Sequence, residues 1–90
     1  MAFFTGRILS NDGGVIFEQR EIWISAFRFG TQEYWDGSFE APVVPGLNAP
    51  VYRLHLADGR EGTMTHLRRW IKGENILVSF QGSGPLMARA

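Results

Sequence analysis

Ninety residues suffice for one small domain and are too few for two independently packed cores. A hydrophobic fraction of 44%, a charged fraction of 20% and an aromatic set of three Trp, two Tyr and seven Phe supply a core and exclude intrinsic disorder. Nine Lys and Arg balance nine Asp and Glu, so a nucleic-acid or anionic-membrane partner must be met by a local patch; zero Cys excludes disulfides, thiolate metal sites and cysteine nucleophiles.

No apolar stretch of signal-peptide or membrane-span length follows Met1-Ala2-Phe3-Phe4 or occurs further along. The expected compartment is therefore the cytoplasm, with no membrane partner. Three dipeptides, Asp12-Gly13, Asp36-Gly37 and Asp58-Gly59, lie between runs rich in β-branched and aromatic residues. Asp-Gly accepts the positive φ of tight hairpin turns, so three hairpins are expected. The first joins Phe3–Ser10 to Val15–Glu18 and sets Ile8 across from Phe17.

Ile22 to Phe29 follows, with apolar residues on both parities of the strand. Such a strand is covered on two sides, inside a closed barrel or under a second copy of the chain. Trp23, Phe27 and Phe29 are the self-association candidates, with Ile22 and Ile24 taking that place if the parity is reversed. The second hairpin pairs 32–35 with 38–43 and leaves Gly30 to Pro50 as the least regular stretch. Tyr34, Trp35 and Phe39 stand there beside Glu33, Asp36 and Glu40, a set able to grip a cationic or sugar-like ligand by ring faces and carboxylates. The favoured alternative makes these rings a plug for one end of the barrel. The Pro-rich segment from Ala41 to Pro50 is long enough to reach a neighbouring subunit.

The third hairpin, Val51–Ala57 against Arg60–His66, alternates most clearly. Tyr52, Leu54 and Leu56 share the core face, and Arg53 and His55 the wet one. Met64, Leu67, Trp70 and Ile71 fall at helical spacing between Thr63 as a cap and Gly73 as a stop, which predicts at most one short helix near residues 64–72; the competing reading carries the strand through Ile71 and turns at Lys72-Gly73-Glu74. Arg68, Arg69, Trp70 and Lys72 in this segment, with His66, offer cations and a stacking ring for single-stranded nucleic acid, against the favoured reading of a solvated face. Asn75–Phe80 is a last strand, and Gly82-Ser83-Gly84 reads as a flexible tail.

These elements compose a single mainly β domain over residues 1–90, a small antiparallel barrel or curled sheet of SH3-like or OB-like size. No nucleophile elbow, phosphate loop or paired metal-ligand spacing occurs, so neither an enzyme nor a cofactor or metal is expected. His55 opposing Gly62 and His66 opposing Val51 would stand about 13 Å apart at about 3.3 Å per residue, too far to share an ion. Residues 1–49 carry three Arg against six acids and residues 50–90 six cations against three acids, charges of −3 and +3. Complementary halves favour a binding or assembly module whose partner is another protein or, as a homodimer, itself. Nucleic-acid binding through 66–72 and small-ligand binding at 33–40 are the alternatives.

Overall fold

The structure, a computed structural model, describes residues 2–43 and 49–88, with no helix among them. Six strands run β1 (Ala2–Ser10), β2 (Val15–Phe29), β3 (Gln32–Pro42), β4 (Tyr52–Leu56), β5 (Arg60–Lys72) and β6 (Asn75–Ala88). They close into an antiparallel barrel of spatial order β1-β2-β3-β6-β5-β4, the small mainly β barrel that the turn signals and period-two runs predict. Two three-stranded meanders, β1-β2-β3 and β4-β5-β6, join along two antiparallel seams, β1 with β4 and β3 with β6. Of the Pro-rich segment, Ala41 and Pro42 belong to β3, and residues 44–48 lie outside the described residues.

Alternation fills the interior. Tyr52, Leu54 and Leu56 point inward from β4, and Ile8, Ile22, Ile24, Phe39, Met64, Val78 and Phe80 meet them from the other strands. A six-stranded barrel is narrow enough for side chains to fill it, so these residues form a packed core. Ile22 and Ile24 are inside, which sets Trp23, Phe27 and Phe29 on the outer face.

The first turn pairs Ile8 with Phe17 as expected. Gly13 there takes φ 98°, and its N–H donates to the Ser10 carbonyl at 2.9 Å. The Asp58-Gly59 hairpin forms too, but with one more residue in its loop. The Gly59 N–H donates to the Leu56 carbonyl at 3.0 Å with φ 95°, and the pairing moves by one, so that Leu54 faces Gly62 and His55 faces Glu61. An Asp-Gly pair thus served a three-residue turn closed by a left-handed glycine bulge.

Three expectations are corrected. Gly82-Ser83-Gly84 is no flexible tail, because β6 runs through it and pairs Gly82 with Met64 and Ser83 with Thr63. Asp36-Gly37 is no turn. β3 runs straight through it, paired with β2 on one side and β6 on the other, and the reversal falls at Gly30-Thr31, where Gly30 takes φ 65°. Gly37 is needed for close approach instead. A Cβ there would collide with the Trp23 carbonyl oxygen and lie 2.8 Å from Phe80 Cζ. The segment near 64–72 is strand, with a bulge between Thr65 and Arg68. The bulge slips the parity by one, so Met64 and Leu67 both pack on the core three residues apart and mimic a helical period.

Candidate functional site

Beyond Ile24 on β2 and Asp36 on β3 the barrel ladders stop, while β2 and β3 stay paired to Phe29 and Gln32. Four further residue pairs make a two-stranded arm projecting about 13 Å at about 3.3 Å per residue. Its outer edges have no ladder partner among the described residues. One face is aromatic. Phe27 and Tyr34 stack with ring centroids 5.5 Å apart and planes 18° apart, and Phe29 beyond them is 80% exposed. The opposite face turns toward the barrel, with Arg28 Nη2 3.4 Å from Glu33 Oε1 along it.

The predicted trio in this region divides. Trp35 is 4% exposed and lies across the barrel mouth; its indole N–H donates to the Gly84 carbonyl at 2.8 Å. Gly62 and Gly82 floor that ring, and a Cβ at either would run into it. Phe39 is core as well, beside the Phe17 and Phe80 rings inside the barrel, so Trp35 alone of the three caps the mouth and Tyr34 alone faces solvent.

Below the arm, the outer faces of β2, β3, β6 and β5 form a trough of about 880 Å³. Strand register places its residues in rows. Trp23, Ser38, Ser79 and Arg68 are successive cross-strand neighbours, and Ser25, Asp36, Gln81 and Thr65 make the next row toward the arm. On the other side Glu40, Leu77 and Trp70 follow. Phe3 on β1 packs its ring against Trp23. Two serines therefore lie between two exposed tryptophans on the outer wall. Trp23 is also a ridge, since a second depression of about 780 Å³ opens on its other side against Thr5, Gln19 and Glu40.

His66 sits at the trough's edge in the β5 bulge with φ 52°, the one non-glycine residue in the left-handed region among those described. Its Nδ1 is 3.0 Å from Thr65 Oγ1. Bulges re-aim side chains, and a left-handed histidine costs energy that the surrounding ladder must offset.

The basic cluster also divides. Arg69 lies on the inward parity and donates from Nη2 to the Ala49 carbonyl at 2.8 Å, covering the barrel end. Lys72 Nζ lies 3.0 Å from Glu40 Oε1, and Asn75 Nδ2 donates to Glu40 Oε2 at 2.9 Å. The Asn75 hydrogen bond, with the Lys72 ammonium behind it, holds the Glu40 carboxyl below its ordinary range. Arg68 and Trp70 face the trough, and the Arg68 side chain has no ion-pair partner among the described residues.

At the other end of the barrel His55 Nε2 sits 2.6 Å from Glu61 Oε1, a pair that the one-residue longer turn creates. It borders a third depression of about 510 Å³ with Arg7 and Glu18, which are 3.4 Å apart. Among the described residues no three His, Asp or Glu side chains gather where a metal ion could sit, and no helix is long and apolar enough to cross a membrane. Comparison with known protein families, curated proteins and solved structures finds no match to this chain.

Ser25, Ser38, Ser79 and Gln81 did not figure in the sequence reasoning. Alternation marks Ser79 as outward between Val78 and Phe80, but only the barrel order brings it beside Ser38 and between the two tryptophans.

Proposed function

We propose that the protein is an assembly module that self-associates as a twofold homodimer through the β2–β3 arm. The observation that carries this reading is the arm itself, whose strand edges are unpaired and whose outer face exposes Phe27, Tyr34 and Phe29 together. A hairpin of four residue pairs standing clear of its sheet leaves backbone N–H and C=O groups as a template for another strand. Aromatic side chains are the residues most enriched at the centres of protein interfaces.

Antiparallel pairing of the β2 edge from residue 25 to 29 with the same edge of a second copy is self-complementary and closes under a twofold axis. Such a dimer sets the two Phe27 rings side by side on a continuous outer face. Trp23 lies at the base of the arm, outside the paired edge. Nucleic-acid binding draws less support, because Arg69 is turned inward and Lys72 is held by Glu40.

Light scattering on a size-exclusion column tests the reading at about 100 µM, roughly a hundredfold above the micromolar dissociation constant of a modest interface. Twice the chain mass is expected, falling to the chain mass for Phe27→Asp with an unchanged circular dichroism spectrum. A single-chain mass for the parent protein refutes the proposal.

A further inference from the structure

The trough below the arm has a composition that the dimer does not use. Its ends are tryptophan rings, Trp23 and Trp70, the latter 49% exposed. They stand on strands three steps apart, about 14 Å at about 4.8 Å per step. Between them lie Ser38 and Ser79, and on the arm side Ser25 and Gln81 extend the floor, with Leu67 beside them. Rings separated by small polar side chains leave room for a flat body over each ring.

The charges in the trough decide among occupants. Arg68 and Asp36 are its formal charges, one of each sign, and neither side chain is paired with another described residue. Lys72, at the rim, is neutralised by Glu40. A polyphosphate backbone needs a line of cations, and a single Arg beside a carboxylate does not supply one. A pyranose ring does fit. It presents a face of C–H bonds to an aromatic ring and a rim of hydroxyls that donate and accept at once. Serine hydroxyls, the Gln81 amide, the Asp36 carboxylate and the Arg68 guanidinium satisfy such a rim without requiring a charged ligand.

The left-handed backbone at His66 adds an independent sign. Strain of this kind clusters where a side chain is held for contact with a ligand, and the bulge that carries it sets Arg68 and Trp70 on the outer parity.

We propose that this trough binds a neutral oligosaccharide, with sugar rings stacked on Trp23 and Trp70 and their hydroxyls bonded to Ser38, Ser79, Asp36 and Arg68. The site meets the arm's paired edge only at Ser25, whose side chain the proposed sugar contacts do not use, and it does not depend on dimer formation.

The three indole N–H resonances of uniformly 15N-labelled protein give a direct reading, with the buried Trp35 as internal control. Titration with neutral hexasaccharides of β-1,4-glucose, α-1,4-glucose, β-1,4-N-acetylglucosamine and β-1,4-mannose, each to about 5 mM to capture millimolar affinity, should produce saturable shifts of the Trp23 and Trp70 signals for at least one sugar. The Trp35 signal should stay in place, and the affinity should change less than about twofold between 50 and 300 mM salt, because no counterions are released. Trp70→Ala and Ser79→Val, both on the outer wall, should each weaken binding by about tenfold or more, that is by about 1.4 kcal/mol, with thermal unfolding intact. Failure of all four sugars overturns the proposal. So does a shift of the same two indoles by a thymidine decanucleotide with steep salt dependence, which would assign the trough to single strands, or a saturable sugar response that survives Trp70→Ala and Ser79→Val. The same titration on Phe27→Asp should be unchanged, which separates this site from the arm.

Discussion

Replacing Trp35 by Ala tests whether this ring is the seal of the barrel. Its side chain is almost fully buried, packed on Gly62 and Gly82 and edge-on to Phe80, with centroids 5.9 Å apart at 70°. Truncating a buried Trp costs about 3–5 kcal/mol, and the value rises where surroundings cannot collapse. Here the floor is backbone of β5 and β6 locked in a ladder, so the upper half of that range is expected. The lost hydrogen bond adds about 1 kcal/mol or less, because Gly84 is exposed and its carbonyl rehydrates. A domain of 90 residues holds about 5–14 kcal/mol in total at about 0.05–0.15 kcal/mol per residue, so the variant is left near the edge of folding. Urea titration followed by circular dichroism should show a midpoint collapse, and melting should fall by at least about 12 °C at about 4 °C per kcal/mol. Trp70→Ala, on the outer wall, should cost about 1 kcal/mol or less. Equal costs for the two variants, or a Trp35→Ala loss below about 1 kcal/mol, would refute the assignment of Trp35 to the seal.

Leu54→Ala should cost about 2–5 kcal/mol by urea denaturation, since Leu54 is fully buried, while Arg53→Ala on the opposite face of β4 should be nearly silent. His66→Val should cost about 1–3 kcal/mol because a β-branched residue is forced into the left-handed region, whereas His66→Gly should stay within about 1 kcal/mol of the parent. Asp12, Glu40 and Asp58 are each held below their ordinary carboxyl range, by the Ser10 hydroxyl, the Asn75 amide and the Arg60 backbone N–H respectively. Lowered folded-state values mean that the unfolded chain binds more protons in the acid range. The stabilisation is therefore present above the ordinary values of 3.8 to 4.5 and is lost as pH falls through the lower folded ones; urea midpoints from pH 6 to pH 2.5 should decline in that window, with a shallower slope for Glu40→Gln.

Local alternation made the barrel legible. Tyr52, Leu54 and Leu56 announced the inner face of β4, and the Asp12-Gly13 turn fixed Ile8 against Phe17. What misled was punctuation read without its partners. Asp36-Gly37 has the composition of a turn, yet Gly37 is demanded by the Trp23 carbonyl and the Phe80 ring, neither of which is a sequence neighbour. The helical spacing of Met64 and Leu67 came from a bulge, whose cause lies in pairing with β6. Aromatic residues were identified as important without their sides being known. Tyr34 and Trp35 are adjacent in the chain, and strand alternation sends one to solvent and the other into the barrel mouth. The trough was hidden because its floor joins residues 38 and 79, and no local pattern reports the β3–β6 seam.

The two meanders that meet along that seam are exchanged by a half-turn of the barrel's topology. Rotating β1-β2-β3 onto β4-β5-β6 reproduces the order and direction of every strand, and both seams run between elements of different halves. Each half is thus a sheet with two open edges that the other half closes, and the ladder pairs of both seams use no residue between 43 and 51. Fragments ending and beginning within this interval carry the opposite charges already noted and should find each other in solution and rebuild the barrel, which makes the chain a natural split reporter. The same logic makes concentrated refolding a route to exchange, with the first half of one chain closing on the second half of another.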